Sequence, residues 1–257
     1  MREGERADLV DHLEELRARI LRSIFYALAA TIAGWFLYDY AYLLLMRPII
    51  VALKQFGGKM VLSTPMEAFF VQVQVSFAIG LFLASPLVLY EIWGFVAPGL
   101  TNRERRAVAP LLPVSALLAA AGAALAYLLS FRFFPWMLSL APPGVEGYFR
   151  LRDSILLMAK MLLAFAACFQ MPIVLVFLVK AGVVSPGLLA ARRREAIIGI
   201  IVLSAIATPS GDAITMMMLA APLYVLYEGT LIVARRIERR QSATRRTASP
   251  EGAPARQ

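Results

Sequence analysis

Six stretches of the chain are apolar, at about 20–46, 67–97, 109–131, 154–180, 196–207 and 213–234. Short segments bearing charge, proline or glycine separate them. A helix needs roughly 20 residues to cross about 30 Å of hydrocarbon, and the first four stretches exceed that length. The fifth, Ala196 to Ala207, covers only about 18 Å as a helix. It is either a re-entrant loop or one arm of a tight hairpin with the sixth, joined through Thr208-Pro209-Ser210-Gly211-Asp212. Ahead of the first stretch the pattern becomes amphipathic. Leu9, Leu13, Leu16 and Ile20 share one helical face, with Asp8 placed to cap the helix. Asp11, Glu14 and Glu15 fall early, and Arg17, Arg19 and Arg22 late, as the helix dipole favours. Glu15 and Arg19 form an i, i+4 pair. This arm reads as a helix lying on the membrane interface.

Composition agrees with the pattern. The 257 residues are 60% hydrophobic and 17% charged, with a mean hydropathy of +0.70. A soluble domain is less apolar and more charged, so the excess faces lipid. The net charge of +9 comes from short basic clusters. These make no continuous stripe with interleaved aromatics, so nucleic acid is not the expected partner. The clusters instead set topology. Most of the 26 basic residues fall in the N-terminal arm, in loops 98–108 and 180–195, and in the tail after residue 234. By the positive-inside rule both ends are cytoplasmic, which requires an even number of crossings. Six fits, with bilayer thinning or protein shielding at the short fifth and sixth elements. The predicted organisation is a cytoplasmic helix over 1–22, a six-helix membrane domain over 23–234 and a basic, disordered tail over 235–257. The N-terminus lacks the small-residue cleavage site of a removable signal peptide.

Candidate chemistry is sparse. The single Cys168 and single His12 exclude an internal disulfide and a Cys- or His-rich metal site. No nucleophile–base pairing is visible, and the acids Glu15, Glu67, Glu91, Glu104 and Asp212 scatter over both faces, which argues against a hydrolase. Glu67 is expected near the outer interface and Glu91 near the cytoplasmic end, each snorkelling or joining helices by a buried hydrogen bond. Pro86 is expected to kink the second span. Phe131, Phe133, Phe134 and Trp136 read as an interfacial aromatic cluster. Gln170, a lone amide in hydrocarbon, wants a partner on another helix. Lys160 stands alone within the fourth stretch. Glu104 sits among Arg103, Arg105 and Arg106, either as their salt-bridge partner or as a receiver for an incoming cation. An ion-coupled secondary transporter is the alternative class. Such folds place ionisable groups at the midplane of two related halves, whereas these charges gather at helix ends, Lys160 excepted.

Several separated motifs, in order over about residues 8–240, resemble one family. They are Asp11-His12-Leu13-Glu14-Glu15-Leu16-Arg17, Pro86-Leu87-Val88-Leu89-Tyr90, Trp93-Gly94-Phe95-Val96-Ala97-Pro98-Gly99-Leu100, Glu104-Arg105-Arg106, Phe169-Gln170-Met171-Pro172, Thr208-Pro209 to Asp212, and Pro222-Leu223-Tyr224 to Glu228. This set is similar to TatC, the multispanning core of the twin-arginine protein translocase. The resemblance implies an all-α, glove-shaped membrane protein of six helices, the fifth and sixth short, with both termini in the cytoplasm of a bacterial-type inner membrane. It implies a receptor for the twin-arginine signal peptide of folded cargo. Single-span partners of the TatA and TatB type and self-association would complete the complex, with the proton-motive force as driver and no enzymatic step, cofactor or metal. Its signal-binding positions fall on Glu15 and Glu104, with Arg17, Phe95 and Arg105 beside them. Its partner-helix contacts fall on Gln170 and Thr208, and its structural or periplasmic positions on Pro48, Pro86 and Asp212. Gln170 stands where many members carry Glu, so it can hydrogen-bond but not titrate. A carboxylate suits an arginine signal because the guanidinium offers a planar donor fork, whereas lysine is a point charge.

Overall fold

The computed structural model describes residues 3–96, 111–142, 147–180, 183–208 and 212–248. Helix α1 spans Glu3–Phe36 without interruption, so the expected boundary at residue 22 has no counterpart in the backbone. After Leu37 the chain turns by 77° into α2, Tyr38–Phe56. Neither glycine nor proline marks this break, but Asp39 lies in the first turn of α2, where the dipole favours an acid. Pro48 is buried within α2. A strand, β1 (Lys59–Val61), then pairs in parallel with β2 (Tyr148–Arg150), an element the apolar pattern does not reveal. Helix α3 runs Pro65–Val96 and α4 Leu111–Ser139. Helices α5 (Leu151–Cys168) and α6 (Met171–Lys180) form one apolar stretch broken at Phe169-Gln170. The short α7 (Pro186–Ala191), α8 (Arg193–Ala207) and α9 (Ala213–Ala248) complete the order.

Among the described residues, Pro65–Ile92, Pro113–Ser139, Leu151–Lys180 and Ala213–Arg236 are each long and apolar enough to cross a membrane, and the bent α1–α2 pair counts as a fifth. The fold is an all-α, multi-pass membrane bundle. Helix α8, 15 residues long, covers only about 22 Å, in line with the short fifth element. Helix α9 is not short as a helix. It continues through the basic segment to Ala248, where a disordered tail is expected from 235. Arg, Glu, Gln and Ala are good helix formers and extend a helix already nucleated.

The core lies between α2, α4, α5 and α9, around Ile49, Phe133, Ile155, Met158, Leu219 and Leu223. Phe133 and Phe134 belong to it, at 2% and 3% exposure, rather than to an interfacial belt. Helices α1 and α3 pack closely because both offer small residues at the crossing. A Cβ on Gly34 would meet the Ser76 carbonyl, and one on Gly80 would overlap the backbone of Thr31. Without a hydrophobic driving force between helices in lipid, such close approach supplies the attraction. Helix α3 continues unbroken through Pro86. Proline cannot donate to the Phe82 carbonyl four residues earlier, and the Ser85 hydroxyl donates to it instead, at 2.7 Å.

At the start of α3, Glu67 is buried and accepts backbone N–H groups from Ser63 (2.7 Å) and Arg152 (3.0 Å). It therefore caps the start of α5 from a different helix, where α5 has no side-chain cap of its own. Arg152 Nε also donates to Gln74 Oε1 at 3.3 Å.

Filling the α1–α3 crossing should loosen the whole bundle. Gly80→Leu is expected to lower stability by about 1–3 kcal/mol, the usual cost of overpacking. Denaturant unfolding of the detergent-solubilised protein, followed by circular dichroism, measures it.

Candidate functional site

The N-terminal part of α1 presents its polar face inward. Glu15, Arg19 and Arg22, spaced four and three residues apart, lie on the side of α1 that meets the last turns of α3. Leu13 and Ile20, on the apolar face, are 63% and 50% exposed. This inverts a soluble amphipathic helix and suits one whose apolar side meets lipid. Across from the stripe, Glu91 of α3 is 2% exposed. A carboxylate at that depth needs cations. Arg19 Nη1 lies 3.2 Å from Glu91 Oε2, and Arg22 Nη1 lies 3.4 Å from Glu91 Oε1.

Arg19 is also shared with Glu15. Its Nε and Nη2 both donate to Glu15 Oε1, at 3.0 and 2.6 Å. Glu15 Oε2 has no hydrogen-bond partner among the described residues, and the Glu15 side chain is 35% exposed. The four groups thus form a charge-balanced chain, Glu15, Arg19, Glu91 and Arg22, in which the buried Glu91 lies between two arginines. Phe95 follows Glu91 by one turn of α3 and is partly buried. Arg17 is exposed, off the stripe, and makes no side-chain bond among the described residues. Glu104 and Arg105 lie outside the described residues.

Gln170 occupies the break between α5 and α6, and its polar atoms are used within the chain. Its Oε1 accepts from Ser115 Oγ of α4 at 2.7 Å, and its Nε2 donates to the carbonyls of Ser115 (3.2 Å) and Ala166 (3.3 Å). The helix that answers this amide is α4 of the same chain. Thr208, at the C-cap of α8, is buried and donates to the Ala205 carbonyl at 3.4 Å. No hydrogen bond joins it to Gln170. It lines a small apolar cavity with Thr215, Met161 and Phe165. Asp212 caps α9. Its Oδ1 accepts the N–H groups of Ile214 (3.1 Å) and Thr215 (2.8 Å), and its Oδ2 accepts the Thr215 hydroxyl (2.7 Å). At the other end of the α8–α9 pair, Arg193 meets Glu228 at 3.1 Å and Tyr224 donates to Glu228 at 3.2 Å. Lys160 is exposed on α5 and pairs with no described side chain. Among the described residues, no three His, Cys, Asp or Glu side chains converge to hold a metal.

Sequence reasoning places Glu91 near the cytoplasmic end but does not include it in the site. The available signal was an acid closing an apolar stretch while two arginines, seven and four residues beyond Glu15, had only one acid between them. Two stability tests follow from the bonding pattern. Gln170→Leu leaves the buried Ser115 hydroxyl without its acceptor and should cost about 1–3 kcal/mol. Asp212→Ala removes the α9 cap and should cost about 1 kcal/mol. Both read out as a lowered unfolding midpoint in detergent.

Comparison with known proteins bears on the arrangement as a whole. Residues 11–222 match the family model for the Sec-independent protein translocase protein TatC. The chain is 34% identical to the Sec-independent protein translocase protein TatC of Desulforapulum autotrophicum, covering 91% of this chain and 86% of that one. It is 33% identical to the Escherichia coli K12 protein of the same name, over 86% of this chain and 85% of that one. Among solved structures it superposes on a crystal structure of the twin arginine translocase receptor TatC in DDM with a TM-score of 0.74. That match has 35% identity and covers 87% of this chain and 99% of the other. A buried acid near the C-terminal end of α3, balanced by arginines of α1, thus sits within a fold and a sequence shared along nearly the whole length. The chain belongs to the TatC family of Sec-independent protein translocase proteins.

Proposed function

We propose that this protein is the core receptor subunit of a twin-arginine translocase, binding the twin-arginine signal of folded cargo at the cytoplasmic ends of α1 and α3. The observation that carries the reading is the Glu15 carboxylate. One oxygen already accepts a guanidinium, while the other is open on a side chain that is 35% exposed. A carboxylate so placed accepts the planar fork of an arginine and gains less from the point charge of a lysine. The family resemblance assigns the second carboxylate to Glu104 and adds Arg17, Phe95 and Arg105 to the signal-binding set. In this reading both termini lie in the cytoplasm of a bacterial-type inner membrane, with six crossings, and the distribution of basic clusters supports that orientation.

In this reading the chain performs no chemistry of its own. It binds the signal, associates with further copies and recruits single-span partners of the TatA and TatB type, with transport driven by the proton-motive force. The partner-helix contacts fall at Gln170 and Thr208, where the polar atoms of Gln170 are bonded within the chain and Thr208 is buried. The transporter alternative has less support, since four charged groups near the inner end of α1 and α3 pair with one another.

Binding of a fluorescent twin-arginine signal peptide to the full chain in nanodiscs tests the assignment. Glu15→Gln and Glu104→Gln should each weaken binding by about tenfold or more, the value of a hydrogen bond to a charged group. A twin-lysine peptide should bind the wild type more weakly than twin-arginine. Unchanged affinity in both carboxylate variants would remove the site.

A further inference from the structure

The carboxylate assigned to the signal is not vacant in the resting chain. Arg19 holds it through two donors while reaching a second carboxylate with its remaining nitrogen. The two acids differ sharply in depth, with side-chain exposures of 35% for Glu15 and 2% for Glu91. Arg19 lies between them, at 17%.

The inner seat is shaped for the guanidinium. Arg19 Nη1 lies 3.2 Å from Glu91 Oε2 and 3.5 Å from the Glu91 carbonyl. A Cβ on Gly94, one turn along α3, would overlap the guanidinium. With no side chain at that position, the Arg19 guanidinium lies against the α3 backbone. The inner contact is therefore a fitted site, while the outer contact is an i, i+4 pair on one helix, open to water on one side.

We propose that Arg19 is the resident occupant of Glu15, that a signal arginine takes Glu15 by exchanging with it, and that Glu91 with Gly94 keeps Arg19 in place once it lets go. This rests on the reading of Glu15 as a signal-binding carboxylate. Exchange of one guanidinium for another conserves the donors on Glu15 Oε1. Signal capture then releases less free energy than pairing with a bare carboxylate and stays reversible, as release of cargo from a receptor requires. Glu91 is a positioning residue in this scheme. It never meets the signal, yet it sets how readily Arg19 yields.

The test uses signal-peptide affinity of the full chain in nanodiscs, because a purely structural role would not make neighbouring variants move it in opposite directions. Arg19→Lys keeps the charge that Glu91 needs but cannot hold both carboxylates with a fork, so signal binding should tighten by roughly three- to tenfold, the range of a partly exposed ion pair. Glu91→Gln removes the inner partner, leaves Arg19 wholly to Glu15, and should weaken binding by a similar factor. The double variant Arg19→Gln with Glu91→Gln has no resident guanidinium and should bind at least as tightly as wild type, a non-additive result. If Glu15→Gln loses binding while Arg19→Lys binds no more tightly than wild type, or the double variant stays as weak as Glu91→Gln, the resident-arginine proposal is overturned on its own. Unchanged binding in Glu15→Gln overturns the exchange proposal by removing Glu15 from the signal site, and unchanged binding in Glu104→Gln as well overturns the receptor reading along with it.

Discussion

A carboxylate that is 2% exposed at the end of a membrane helix has to be neutralised, and here the neutralising charge comes from α1. That constraint organises the inner end of the molecule. Glu91 draws Arg19 and Arg22 to α3, which fixes the rotation of α1 about its axis. With that rotation set, the apolar face carrying Leu13 and Ile20 must look outward and Glu15 must stand at the rim. Removing one partner of such a pair is far more damaging than never having had it, because an unpaired charge is left behind. The small residues Gly34 and Gly80 complement this. They bring the two backbones near enough for a side chain of α1 to reach a carboxylate seventy-two residues away on α3.

A second constraint runs through the remainder of the bundle. Lipid offers no water to a freed backbone group, so each irregularity carries its own repair. Ser85 takes the carbonyl that Pro86 cannot serve. Gln170 sits in the α5–α6 break and stitches it to Ser115. Asp212 gathers the first amides of α9, and Glu67 reaches across from α3 to the first turn of α5. Polar residues that look like isolated candidates for binding in a one-dimensional reading are, in several cases, repairs of this kind.

How much of this was legible in the chain depends on the distance over which each interaction acts. Apolar run length and helical spacing are local, so the long spans, the short α8 and the Glu15–Arg19 pair were all readable. The break at Leu37 was not, since no proline or glycine marks it and the turn depends on where α2 finds its packing against α4. The burial of Phe133 and Phe134 depends on the same tertiary contact. Glu91 was recognisable as an acid in an awkward place, but its partners lie far off in sequence and only the fold of α1 against α3 supplies them. The family's motifs reached Glu15 and Glu104 by resemblance, and Glu104 lies outside the described residues.

The shortness of α8 has a consequence for the lysine in the middle of α5. The facing ends of α8 and α9, at Ala207, Thr208 and Thr215, line one cavity with Leu157, Met161, Ala164 and Phe165 of α5, about 9 Å or more along the helix from Leu151. Helix α8 covers about 22 Å, less than the roughly 30 Å of hydrocarbon that a crossing spans. Lys160 lies within the same stretch of α5, between Leu157 and Met161, and is exposed. A long aliphatic stem lets a lysine in such a place carry its ammonium toward a polar boundary that a short neighbouring helix brings nearer.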